Sequence, residues 1–306
     1  MADRPAWKRL VTRVIGRPCE TAGLYVVHFV FNSLPLDTAS ALGAAVARTI
    51  GPHLGVSRRA RHNLARVFPE MSREQIETTV REMWDNLGRV VAELPHLPRI
   101  KVFAGETSPG ASRVEIVGLE HVDAVRAAGR RILFFTAHFG NWEIGPLAMM
   151  RHGLPLHIVY RQSNNPWADR LFLNGRRGVV ASLIPKGAEG ARQIITALQK
   201  GGSAGMLVDQ KMNDGIKVPF MGRDAMTAPA LAQLALKFDC AVIPSVVERL
   251  GGARYRLTFE PPLPLPHSGN RHADILALMT EVNRRMEAWI RKRPGQWLWL
   301  HRRWPD

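Results

Sequence analysis

Apolar and polar positions divide the chain into two regimes. In the first third, apolar residues recur at helical spacing: Leu42, Val46 and Ile50 form one set, and Ile76, Val80, Met83, Trp84, Leu87 and Val91 a longer stripe. Such a stripe predicts a helix with one buried face. Ser72-Arg73-Glu74-Gln75, just before it, has the S-x-x-Q form of a capping box. Later in the chain, short apolar runs alternate with helical stretches. Runs at 114–117, 132–136, 156–160, 182–184, 204–208, 241–247 and 254–260 read as strands. Stretches at 119–128, 141–152, 166–175, 188–200 and 227–239 read as the helices between them, and 273–292 as a long closing helix. This alternation predicts an α/β fold, a mostly parallel sheet flanked by helices, with a helical N-terminal region. The Pro- and Gly-containing stretch 95–110 reads as a linker between the regimes. The expected organisation is a basic and apolar segment over 1–36, a helical region over 37–110 and an α/β core over 111–306, with 37–306 as one folded unit.

The first segment places the apolar run 23–31 after Arg4, Lys8, Arg9, Arg13 and Arg17. It falls short of the roughly 18 uninterrupted apolar residues of a spanning helix. A basic flank and a short apolar core also resemble a signal peptide. Pro18-Cys19-Glu20 interrupts that reading, and no small-x-small cleavage site follows closely. The preferred reading is a membrane-surface anchor, apolar face in the lipid and arginines on the headgroups. A buried N-terminal helix is the other.

At 306 residues the chain can bury a large core, and 46% apolar with 22% charged residues is ordinary for a globular protein. The charge balance adds something. Lys+Arg number 42 against 26 Asp+Glu, a net charge of +16. That predicts attraction to polyanions: nucleic acid, an anionic membrane face, or an acidic protein or phosphorylated substrate. The basic stretches 58–66, 284–293 and 302–303 carry no nucleic-acid-binding signature, so nucleic acid is not expected. Cys19 and Cys240 form no CxxC and no disulfide framework, which fits a reducing compartment. No HExxH, Walker A or paired CxxC occurs, so neither a metal nor a cofactor is expected.

The candidate chemistry lies in Thr136-Ala137-His138-Phe139-Gly140-Asn141-Trp142-Glu143, at the end of the second strand. A histidine there and a glutamate five positions on can face each other across the bend. Imidazole then takes a proton while the carboxylate orients the ring. A surface or helix-capping arrangement is the plainer alternative. The pair sits where open α/β sheets bind ligands, at the carboxyl end of a strand. Arg161 follows another strand end and suits an anion. Asp209 ends a third strand, where it either orients His138 or an arginine, or caps a loop. Gly201-Gly202-Ser203-Ala204-Gly205 matches G-x-S-x-G, but a helix precedes it and a strand follows, the reverse of a nucleophile elbow.

These residues resemble a known family, the lipid A late acyltransferases of lipopolysaccharide assembly, within the HX4D/E glycerolipid acyltransferases. The resemblance is carried by His138 to Glu143, Tyr160-Arg161, Asn165-Pro166, Asp169, Gly175-Arg176, Val208-Asp209-Gln210 and the closing Trp297-Leu298-Trp299-Leu300-His301-Arg302-Arg303-Trp304. Arg58-Arg59, Asn63-Leu64 and Val67-Phe68-Pro69-Glu70 add to it. It implies acyl transfer from an acyl carrier protein thioester to a hydroxyl of a phosphorylated glycolipid, a lipid A precursor. It implies His138 as general base and Glu143 as its orienter, with Asn141, Arg161, Arg176 and Asp209 binding or orienting substrate. Backbone N–H groups near Gly140 and Asn141 are the expected oxyanion donors. Phe139 and Trp142 are expected along the acyl slot or in the core. An anionic membrane surface, the cytoplasmic face of the cell inner membrane, is the implied setting. Other readings are a same-fold enzyme for a phosphatidylinositol mannoside, an ornithine lipid or a lysophospholipid, and a non-catalytic basic membrane- or nucleic-acid-binding protein.

Overall fold

The apolar runs assemble into a seven-stranded sheet in the computed structural model, which describes residues 17–105, 111–163, 165–176 and 178–304. The strands are β1 (Val114–Val117), β2 (Ile132–Thr136), β3 (Leu156–Tyr160), β4 (Ser182–Pro185), β5 (Ser203–Leu207), β8 (Ala241–Gly251) and β9 (Arg254–Phe259). Their order is β1-β9-β8-β2-β5-β3-β4, and every neighbouring pair is parallel except the hairpin β8–β9. The buried run of β2 explains its place in the middle. Leu133, Phe135 and Ala137 pack into one core, and Ile132 and Phe134 into another on the opposite face. The expected α/β architecture, a mostly parallel sheet flanked by helices with a helical N-terminal region, is the one observed.

Two strands were not expected. β6 (Lys211–Phe220) and β7 (Arg223–Thr227) form a separate antiparallel pair. The first half of β6, around Asn213-Asp214-Gly215, is exposed and polar, so no apolar run announces it.

The N-terminal helices are α1 (Arg17–Ser33), α2 (Leu36–Ile50), α3 (Ser57–Val67) and α4 (Arg73–Glu93). The capping box forms: Gln75 N–H donates to Ser72 Oγ at 3.2 Å, and Ser72 N–H to Gln75 Oε1 at 2.7 Å. Helices α2 and α4 touch through glycines. A Cβ on Gly88 would lie 2.2 Å from the Gly43 carbonyl oxygen, so only glycine admits this approach. The stretch expected as a linker begins with a 3-10 turn, Leu94–Arg99. Leu97, Ile100 and Val102 are buried in the same core as Val114 and Leu257. Residues 106–110, like 1–16 of the basic N-terminal segment, lie outside the described residues. Among the described residues no helix is long and apolar enough to cross a membrane. Helix α1 nevertheless exposes Val26 and Phe29, 62% and 71% accessible.

The remaining helices are α5 (Leu119–Ala127), α6 (Ile144–Arg151), α7 (Pro166–Gly175), α8 (Ala188–Gln199), α9 (Ala230–Phe238) and α10 (Arg271–Lys292). Helix α6 starts three residues later than expected, because Asn141 to Glu143 form a turn.

Helix α4 ends on a buried charge. Glu93 receives Arg249 of β8 through two hydrogen bonds, 2.6 and 2.9 Å, and the Ser40 hydroxyl of α2 at 2.6 Å. Both ions are buried. Removing one member of such a pair strands the other charge and costs roughly 3–5 kcal/mol. Arg249→Met is therefore expected to lower the unfolding free energy in urea by about that amount. Glu93→Gln/Arg249→Met should recover part of the loss. Equal losses in the single and double variants would show that packing, not the stranded charge, sets the cost.

Candidate active site

Parallel register brings the site together. Thr136 of β2 pairs with Leu207 of β5, so two residues further on His138 emerges beside Asp209. Tyr160 of β3 pairs with Pro185 of β4, so Arg161 emerges beside Lys186. All four residues leave the carboxyl ends of adjacent parallel strands, where such sheets bind ligands.

Asp209 is wholly buried and wholly engaged. Its Oδ2 accepts the His138 backbone N–H at 2.9 Å and the Trp297 indole N–H at 2.8 Å. Its Oδ1 accepts from His138 Nδ1 at 2.8 Å. Burial alone would raise its carboxyl, but the His138 charge and hydrogen bonds overcome this and hold it well below the usual carboxylate range. With Nδ1 held by Asp209, Nε2 is the ring nitrogen left for proton exchange. The Gln210 carboxamide N lies 3.3 Å from that atom and 3.3 Å from His301 Nε2.

The sequence pairs Glu143 with His138, but in the structure Asp209 occupies that place and Glu143 meets Arg176. Arg176 Nε donates to Glu143 Oε2 at 2.8 Å, and the terminal nitrogen Nη2 closes a second bond to Oε1. Trp142 Nε1–H adds a third at 3.1 Å. Burial would raise the Glu143 carboxyl, yet the Arg176 guanidinium keeps it below the ordinary value. The turn explains the separation. Gly140 is left-handed, φ 55°, and a Cβ there would lie 1.8 Å from the Val247 carbonyl oxygen. The chain bends sharply after His138, and Glu143 becomes the residue before α6.

A buried polar platform holds this turn. Asn86 of α4 donates to the Gly140 carbonyl at 2.9 Å and accepts from Arg249 Nε at 2.9 Å. Asn141, expected at the substrate, is fully buried beneath the turn. Its Nδ2 donates to Glu93 at 2.7 Å, and its Oδ1 accepts the Glu143 N–H at 3.2 Å. The Gly140 N–H, expected as an oxyanion donor, is taken by the Gln296 carbonyl at 3.0 Å.

The C-terminal tail closes the site. Phe139 and Trp297 form an isolated antiparallel bridge, and the Leu298 N–H donates to the His138 carbonyl at 3.1 Å. Asn63 of α3 holds the Trp299 and His301 carbonyls at 2.9 and 3.0 Å, and Arg59 the Leu300 carbonyl at 2.9 Å. Phe139 is core, while Trp142 stands 5.0 Å from the His138 ring, centroid to centroid, edge-on. Sequence reasoning noted the tail as a motif but gave His301, Gln210 and Lys186 no role. Their signal was position, after a strand end or within the tryptophan-rich motif.

A cavity of about 420 Å³ opens at this point. Its mouth carries His138, Arg161, Arg176, Lys186 and His301. Its interior is largely apolar, with Phe134, Ile158, Val247 and Phe259 of the sheet and Met149 of α6. The arrangement suits a long apolar group whose polar end reaches His138 Nε2.

Residues 17–306 match the family of bacterial lipid A biosynthesis acyltransferases. The chain is 28% identical over 247 residues to the lipid A biosynthesis lauroyltransferase of Escherichia coli, covering 79% of this chain and 76% of that protein. It is 25% identical over 287 residues to that organism's lipid A biosynthesis palmitoleoyltransferase, covering 90% and 88%. It is also 25% identical over 204 residues to the phosphatidylinositol mannoside acyltransferase of Mycobacterium tuberculosis, covering 65% and 63%.

Burial pushes the His301 imidazole down from 6.5 to about 4, against the opposing pull of Asp209. Between those values the unfolded chain binds a proton that the folded chain refuses, so the folded state loses stability as pH falls through this window. Melting temperature is expected to drop from pH 6.5 towards pH 4. His301→Asn should flatten that slope; an unchanged slope would remove His301 as its source.

Proposed function

The chain belongs to the bacterial lipid A biosynthesis acyltransferase family, and we propose that it moves a fatty acyl chain from an acyl carrier protein thioester to a hydroxyl of a lipid A precursor. The observation that carries this reading is the His138–Asp209 pair, 2.8 Å apart, at the mouth of an apolar cavity. The acyl chain lies in the cavity with its thioester carbonyl at the mouth. His138 Nε2 takes the proton of the acceptor hydroxyl as its oxygen attacks that carbonyl. Asp209 holds the Nδ1–H, fixes the tautomer and stabilises the imidazolium. Collapse of the tetrahedral intermediate breaks the C–S bond, and His138 returns the proton to the thiolate. The new ester leaves on the acceptor. Glu143 acts through Arg176, which it holds at the mouth with a neutralised charge.

Arg161 and Lys186 give the mouth two cations with no carboxylate in hydrogen-bond contact among the described residues, suited to the phosphates of the acceptor or to an acidic carrier protein. The exposed Val26 and Phe29 of α1, behind the arginines of the first residues, favour docking on an anionic membrane surface. The setting in this reading is the cytoplasmic face of the cell inner membrane.

The likeness to a phosphatidylinositol mannoside acyltransferase favours one second reading, the same chemistry on a different acceptor. Purified protein is to be assayed with acyl carrier protein thioesters against lipid A precursors and phosphatidylinositol mannosides. Transfer to the lipid A precursor is expected. Transfer to the mannoside alone would replace the main reading with the second. His138→Ala is expected to lower kcat by about 10²–10⁴-fold with the fold intact by circular dichroism, and Asp209→Asn to lower it as well. Unchanged turnover in His138→Ala would remove it as the base. Val26→Ser/Phe29→Ser changes only exposed positions and should weaken sedimentation with anionic vesicles; equal sedimentation would sink the docking surface.

A further inference from the structure

Two glycines line the apolar cavity, and neither has a left-handed backbone. Gly205 of β5 lies in register between Phe134 of β2 and Ile158 of β3, and all three line the cavity. Registered neighbours in a parallel sheet point to the same face. Gly205 is therefore a gap in a floor of bulky side chains. A glycine inside a strand costs stability and marks a place where another group comes close. A Cβ there would lie 2.7 Å from Ile158 Cδ1, the far end of a flexible side chain.

Gly145 is the second. Helix α6 buries Ile144, Leu147 and Ala148 in the core. Its other face, with the preceding turn, presents Trp142, Gly145, Pro146 and Met149 to the cavity. These recur at i, i+3, i+4 and i+7, one side of a helix. Apart from its chain neighbours and its own helix backbone, a Cβ on Gly145 would meet nothing within 4 Å among the described residues. Its φ is not left-handed, but Pro146 follows it in the first turn of the helix, where a Cβ on the residue before proline is disfavoured. What the missing side chain leaves is open space in the cavity wall.

We propose that Gly145, together with Gly205, sets the bore of the cavity and so determines the length of acyl chain that the enzyme accepts. This rests on the acyltransferase reading above, in which the chain fills the cavity from a carbonyl at His138. A side chain at position 145 occupies space that the far methylenes of a long donor need, and leaves room for a shorter one.

The test is a graded series, Gly145→Ala and Gly145→Leu, with saturated acyl carrier protein thioesters of increasing length. Because Pro146 follows position 145 and disfavours a helical residue that bears a Cβ, both variants are first to match the wild type in circular dichroism and melting temperature. In Gly145→Leu, kcat/KM for the longest donor used by the wild type should fall about tenfold or more relative to shorter donors, moving the optimum to shorter chains. Gly145→Ala should shift it in the same direction by about fourfold, the effect of one methylene at ~0.8 kcal/mol. A parallel fall at every length, or an unmoved optimum, overturns the inference. Binding of free saturated fatty acids of the same lengths, read by displacement of a fluorescent fatty acid, gives a measure that needs no transfer. If the wild type transfers no acyl group yet Gly145→Leu selectively loses the longest fatty acids, the proposed reaction fails and the role of Gly145 stands. Equal length dependence of binding in wild type and Gly145→Leu overturns it.

Discussion

The buried carboxylate of Asp209 is the constraint around which the site is assembled. It accepts three hydrogen bonds from two segments far apart in sequence, His138 after β2 and Trp297 in the tail. A carboxylate removed from water is tolerated only when its lone pairs are satisfied. Satisfying this one fixes three things together. The His138 backbone N–H sets the path of the loop, Nδ1 sets the tautomer of the imidazole, and Trp297 seats the tail against the sheet. The same bonds that offset the cost of burial therefore leave Nε2 facing the cavity. Stability and chemistry draw here on one interaction.

A second buried carboxylate, Glu93, does for the backbone what Asp209 does for the ring. It reaches Asn141 at 2.7 Å and the Arg249 guanidinium, whose Nε binds Asn86 beneath the Gly140 carbonyl. Helices α2 and α4 thus supply the bed on which the turn after β2 rests. Ser40 of α2 joins through the Glu93 oxygen. Gly140 completes the fit, since any Cβ would collide with β8. The N-terminal helices and the sheet consequently share the geometry of the site: a shift of α4 against β8 would move the residues on both sides of His138.

The architecture was legible wherever burial leaves a periodic trace. β2 reads as a strand because all of Ile132 to Phe135 is buried, and α4 reads as a helix because one face is. β6 left no such trace, because its first half is exposed. The sheet edge holding the site was also legible, since His138, Arg161 and Asp209 each follow an apolar run. The partnership within it was not. Proximity in sequence favoured Glu143 over Asp209, 71 residues away from His138, yet strand register decides which side chains meet. Thr136 opposite Leu207 places Asp209 beside the histidine, while the left-handed Gly140 turns Glu143 towards Arg176. Register between non-consecutive strands has no signature in one sequence. Asn141, expected at the substrate because it lies beside a candidate base, is buried in the structure and donates to Glu93.

The charge distribution follows from these pairings. Taken from sequence, +16 says only that the chain attracts polyanions. In the structure several of its arginines have internal duties. Arg59 holds the tail, Arg61 pairs with Glu77, Arg176 with Glu143 and Arg249 with Glu93. At the mouth, the charges of Glu143 and Arg176 cancel, and Asp209 is buried against the histidine. The remaining charges lining the cavity are the cations Arg161 and Lys186, on adjacent strand ends, and the carboxylate of Asp169. An anionic ligand is drawn to that side, and the His138 imidazole is left to the hydroxyl. The burial that pushes His301 down to about 4 has the same effect, keeping a second positive charge away from the base. Proton transfer at His138 Nε2 is thereby separated, by a few side chains, from the cations that hold charged parts of a substrate.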